Sequence, residues 1–197
     1  MSAVLTAQEP SAKYLVNLQP PLVRHFDLIA QAPGGVARLR ELILTLAVQG
    51  KLVPQDPSDE PASELLKKIR TEKDRLIAEG KIKRDKPLAE IAEEEKPFGL
   101  PMGWEWVRLN SLLQKIGLRT VLPALNAFLH KVLVSRHVQQ AVMDVQVGVS
   151  REGLSVAKLG QFLIPVPPLA EQSRIVTRVA QLRRLCADLR TRLAASQ

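Results

Sequence analysis

Three histidines, one cysteine and a run of carboxylates are the side chains in this sequence best suited to chemistry. His25, His130, His137 and Cys186 are the soft ligand types that zinc prefers, but a helical zinc site needs ligands four residues apart. His130 and His137 stand seven apart. Asp56, Asp59, Glu60 and Glu64, with Lys67 nearby, have the composition of a metal-dependent nuclease cluster. They fall in a proline-rich loop and a helix start, where carboxylates complement the helix dipole without any catalytic role. Gly34-Gly35 can turn backbone donors toward a phosphate. The pair lacks both the phosphate-loop and the dinucleotide fingerprint, and it reads as a turn into a helix. No catalytic residue, metal ligand or cofactor is expected, and the chain is not expected to be an enzyme.

Nucleic-acid contact is the chemistry left. The run Gly148 to Gly153 (GVSREG), followed by Ser155 and Lys158, joins small residues to hydroxyls and cations. Small residues let a backbone approach DNA, and Ser150, Arg151, Ser155 and Lys158 are types that meet phosphates. Arg119 is a further candidate. The charge supports this reading. The formal net charge is +8. Residues 101–197 hold 13 basic and 5 acidic side chains, whereas residues 1–50 hold 4 and 3 and residues 51–100 hold 11 and 12. The excess thus sits in the second half, which points to a polyanionic partner.

These residues need elements to position them. Aromatic residues make up only 4%, few for a sandwich or barrel, while Leu, Ala, Lys, Arg and Glu favour helix. A short helix is expected over 21–31. Leu39, Leu42, Ile43 and Leu46 recur at helical spacing and predict a helix over 36–49 with Gly50 as its cap. A second helix is expected over 62–79, with Leu66, Ile69, Leu76 and Ile77 as its stripe and Glu64/Lys68 as an i,i+4 pair. Residues 81–100 read as a charged linker. Short strands are expected at 105–109 and 162–166, with two short helices between 123 and 146. Ile175, Val179, Leu182, Cys186, Leu189 and Leu193 fall at alternating spacings of four and three, a heptad stripe on a helix over 169–195. Such a helix needs a partner. The 62–79 helix is the natural candidate within the chain, with self-association as the rival.

Three stretches resemble the DNA-specificity subunits of type I restriction-modification systems. They are PGGVARLRELILTLAVQGKLVPQDPSDEPASELLKKI (33–69), KPFGLPMGWEWVRL (96–109) and GVSREGLSVAKLGQFLIPVPPLAEQSRIVTRVAQLRRLCADL (148–189). The resemblance identifies the first with the conserved helical region before a target-recognition domain. It identifies Gly-Trp-x-Trp-x-x-Leu with the opening strand of that domain, and Ile-Pro-x-Pro-Pro-Leu-x-Glu-Gln with its exit into the next conserved helix. It also implies that the 148–153 loop faces DNA. The chain departs from the family in one respect. The resemblance implies roughly 130–180 residues between opening and exit, within the usual domain range. Here 52 residues lie between Leu109 and Phe162, with the junction near 113–121. Set against the resemblance, the sequence is expected to lack most of one recognition domain and to hold no second one.

The expected fold is therefore mainly α, with long helices in a bundle or antiparallel coiled coil and a small α/β remnant. The expected segments are an irregular 1–21, a conserved helical region and linker over 22–99, a recognition-domain remnant over 100–168 and a coiled-coil helix over 169–197. The resemblance implies a non-catalytic subunit that binds DNA and the methyltransferase (modification) subunit, and through it the restriction subunit. An interaction module that assembles with or competes for the methyltransferase subunit, without reading DNA, is the alternative. Leu66, Ile69, Leu76 and the heptad stripe are the expected partner or coiled-coil interface. A single cysteine rules out an intramolecular disulfide. With no run of ~18 apolar residues and no signal-peptide pattern, a cytoplasmic location with no membrane partner is expected.

Overall fold

A computed structural model describes residues 32–84, 88–113, 123–147 and 155–195. The expected 21–31 helix lies outside these. Helix α1 is Gly35–Val48 and α2 is Ala62–Ala78. A short 3-10 turn, Glu93–Glu95, lies in the charged stretch. Strand β1, Glu105–Arg108, runs directly into α3, Leu109–Leu112. Helices α4, Pro123–Leu133, and α5, Arg136–Val147, follow. A single turn, α6, Val156–Leu159, precedes strand β2, Leu163–Val166. The long α7, Leu169–Ala195, completes the set. The fold is mainly α with a small two-stranded sheet, as the composition implies.

The two strands pair antiparallel, with Trp106 opposite Pro165 and Val107 opposite Ile164. The ladder continues as Leu109 N–H donates to Phe162 and Asn110 N–H to Gly160, both at 2.9 Å. Pro165 has no N–H to offer, which suits a sheet with only edge strands.

Helix α1 ends in a Schellman arrangement. Lys51 N–H donates to Leu46 at 2.8 Å, Gly50 N–H donates to Ala47 at 3.3 Å, and Gly50 takes a φ of 68°. This hydrogen-bond pair satisfies carbonyls that the helix end leaves open, and the left-handed residue favours glycine. Gly50 is needed for space as well. A Cβ there would lie 2.5 Å from Pro101 and 2.9 Å from Trp104.

The core corrects one expectation. Helix α7 does not take α2 as its main partner. It packs on α1 and α4. Helix α1 presents Leu39, Ile43 and Ala47, and α4 presents Leu125, Phe128, Leu129 and Val132, all buried. Against these lie Ile175, Val179 and Cys186, each fully buried, with Leu182 and Leu189 partly buried beside them. Helix α2 offers less to a long partner, since it buries only Ala62, Leu65 and Ile69. It packs instead on α3, and Lys73 Nζ donates to the Asn110 carbonyl at 2.7 Å. The expected Glu64/Lys68 pair is also replaced. Glu64 pairs with Lys67 and Lys68 with Glu60, each at 2.7 Å. All four side chains are largely solvent-accessible, so the choice between these pairs costs little.

Candidate partner and nucleic-acid interface

Three separate parts of the chain meet around one carboxylate. Glu171 lies in the first turn of α7 and is 1% exposed. Its Oε2 accepts the indole N–H of Trp104 at 2.9 Å. Its Oε1 accepts the side-chain amide of Gln55 at 2.8 Å. Gln55 donates also to the Gly50 carbonyl at 3.0 Å, which fixes it beside the α1 cap. The loop after α1, the turn before β1 and the start of α7 are thereby joined. Burial pushes the Glu171 carboxyl above the usual glutamate range, and the two donors and Arg174 offset this only in part.

The surroundings reinforce the junction. Gln172 is fully buried and donates to the Pro167 carbonyl at 2.9 Å. Arg174 makes a two-pronged ion pair with Asp59. The Gly103 carbonyl accepts the N–H of Ala62 at 2.8 Å, satisfying one of the open donors at the start of α2. Trp104 meets the edge of Phe128 at 6.2 Å.

Both tryptophans of the Gly-Trp-x-Trp run are buried. Trp106 lies in a second layer, edge-on to Phe98 at 4.9 Å. Beside it on β1, Arg108 is 8% exposed. Its guanidinium donates to the carbonyls of Ala89 at 3.1 Å, Gln161 at 3.1 Å and Glu90 at 3.3 Å, and to the Glu95 carboxylate at 3.0 Å. The stretch read as a linker is therefore tied at 89–95 to the strand pair. Sequence reasoning missed Gln55, Asp59 as an ion-pair partner, and Arg108. An arginine inside a short apolar strand was the one available signal for Arg108.

The candidate DNA contacts divide. Ser150, Arg151 and Arg119 lie outside the described residues. Ser155 is exposed, and its Oγ accepts the Lys158 N–H at 3.2 Å, which starts the single turn of α6. Lys158 is half-buried. Five arginines of α7 (Arg178, Arg183, Arg184, Arg190 and Arg192) are exposed. Of the candidate interface, Ile69, Ile175, Val179 and Cys186 are buried, and Leu66, Leu76, Leu182, Leu189 and Leu193 are half-buried. Burial pushes the Cys186 thiol above its ordinary range. His137 is half-buried against Phe98, and burial holds its imidazole below the usual value. Among the described residues no group of three His, Cys, Asp or Glu is placed to hold a metal ion, and no helix is long and apolar enough to cross a membrane.

No protein-family model matches the chain. No solved structure matches it significantly. Two curated proteins do. The type I restriction enzyme EcoAI specificity subunit of Escherichia coli is 61% identical over 88 residues, which cover 45% of this chain and 15% of that protein. The type I restriction enzyme EcoEI specificity subunit of Escherichia coli is 65% identical over 78 residues, covering 40% of this chain and 13% of that protein. The matches thus take in about a seventh of the length of these relatives. Over that shared segment the chain is similar to the specificity subunits of type I restriction enzymes.

Proposed function

We propose that the chain is a non-catalytic, shortened specificity subunit. It would associate with a type I methyltransferase subunit, and through it with the restriction subunit, and would contact DNA without strong sequence preference. The observation that carries this reading is the Glu171 junction. Gln55, Trp104 and Glu171 come one from each stretch that resembles the family, and they close on one another with their hydrogen bonds made. A frame that folds with only 52 residues between Leu109 and Phe162 can keep a helical surface for a protein partner. Reading bases needs side chains delivered into a groove by a larger scaffold. The exposed arginines of α7, with Ser150, Arg151, Ser155, Lys158 and Arg119, would supply phosphate contact only.

Co-purification with a cognate type I modification subunit tests the reading. A stoichiometric complex is expected, without any need for DNA. Absence of a complex, with both chains folded, would overturn it.

A further inference from the structure

The side of α2 that α7 leaves uncovered forms a groove of about 500 Å³ between α2, the chain after it and the β1–α3 corner. Its floor is apolar: Leu66, Ile77, Ile82 and Leu88 are half-buried, with Ile69 and Val107 buried beneath. Its rim is cationic. Arg70, Lys83 and Arg84 are exposed and form no ion pair among the described residues. Lys73 also lines the groove, bonded to the Asn110 carbonyl, and among the described residues that line it Asp74 is the one carboxylate. Elsewhere on α2 the cations are matched. Lys67 pairs with Glu64, Lys68 with Glu60, and Arg75 with both Glu72 and Glu79.

We infer that this groove is a docking site for an acidic amphipathic helix of a partner protein. An apolar floor takes the i, i+3, i+7 side chains of such a helix. A rim of unpaired cations selects carboxylates beside those side chains and disfavours a basic helix. Duplex DNA fits less well, since a phosphate backbone uses the rim and leaves the floor empty.

The test uses the full chain and fluorescence anisotropy with four labelled probes. They are an 18-residue helical peptide with leucines at i, i+3 and i+7 flanked by glutamates, the same peptide with lysines for glutamates, the same with serines for leucines, and a 20-base-pair duplex. The Leu/Glu peptide is expected to bind at least tenfold more tightly than either altered peptide. Its affinity is expected to fall at least tenfold in the Arg70→Glu/Arg84→Glu variant, and to fall again in Leu66→Ser, a substitution that leaves the rim intact. Melting curves check that both variants stay folded. Equal binding of the lysine or serine peptide, no binding of the Leu/Glu peptide, or indifference to both variants would overturn the proposal. So would displacement of the bound peptide by the duplex, which would make the groove a nucleic-acid surface. Binding only after removal of residues 1–31 would assign the groove to the chain's own N-terminal segment.

Discussion

The Glu171 carboxylate accepts the Trp104 indole N–H at 2.9 Å across 67 positions of sequence, and its second oxygen is taken by Gln55. Both oxygens thus face donors. Glu171→Gln keeps the size and removes one acceptor, leaving an amide N–H₂ against a donor. The expected loss is about 1–3 kcal/mol of unfolding free energy, the usual cost of an unsatisfied buried donor. Urea unfolding followed by tryptophan fluorescence measures it. A variant as stable as the parent would show that the junction contributes nothing.

The same carboxyl gives a pH signature. Burial raises its folded pKa above the ordinary glutamate value of 4.5. Its contribution is therefore fully present below that value and is lost as pH rises through the raised one. Asp56, Glu72, Glu79 and Glu95 are held below their ordinary values by hydrogen bonds to Ser58, Arg75, Lys81 and the Ala92 backbone respectively. Their contributions run the other way, present above the ordinary value and lost as pH falls. Subtracting the stability of Glu171→Gln from that of the parent cancels those exposed groups. The difference is expected to decline from pH 4.5 upward and then level off. A difference that grows with pH would contradict the assignment.

Two glycines separate conformation from space. Gly34 and Gly50 have φ values of 70° and 68°, but only Gly50 has atoms where a Cβ would go. Gly34→Ala is expected to cost about 1–2 kcal/mol, the penalty of a left-handed L-residue. Gly50→Ala should add about 1–3 kcal/mol of overpacking against Pro101 and Trp104. Equal melting temperatures for the two variants would argue against the close packing of Trp104 on the α1 cap.

Arg108→Met tests whether the charged stretch is held to the strand pair. Removing the guanidinium leaves the Ala89, Glu90 and Gln161 carbonyls without this donor, at a cost of about 2–3 kcal/mol. Amide exchange should quicken at Glu95 and Lys96, whose N–H groups close the 3-10 turn. Unchanged exchange there would mean that the turn holds by itself.

Much of the fold was legible because periodicity reports which face of a helix is apolar. The 36–49, 62–79 and 169–195 helices, the two short strands and the Gly50 cap all follow from the pattern. Periodicity does not say which apolar face meets which. Helix α7 chose Leu39, Ile43 and Ala47 of α1 and Phe128 of α4 over the more charged α2, a choice made by the depth of apolar surface and the smallness of Ala47. By position Glu171 is an acid in the first turn of a helix, where it suits the dipole. Its larger role, as the acceptor for Trp104 and Gln55, depends on contacts across 67 and 116 positions that no local pattern encodes. The stretch before Trp104 looked like a linker because the buried arginine that ties it down lies outside it. Ser150, Arg151 and Arg119 lie outside the described residues, and composition and resemblance are what point to them.

The most direct measurement is a DNA shift by the purified complex of this chain with a cognate modification subunit, made at 50 and 200 mM salt on several unrelated duplexes. Binding that is similar for all duplexes and falls steeply with salt, as phosphate contact requires, is the expected result. Tight, salt-resistant binding to one sequence alone would contradict the account, because the shortened chain would then still read bases.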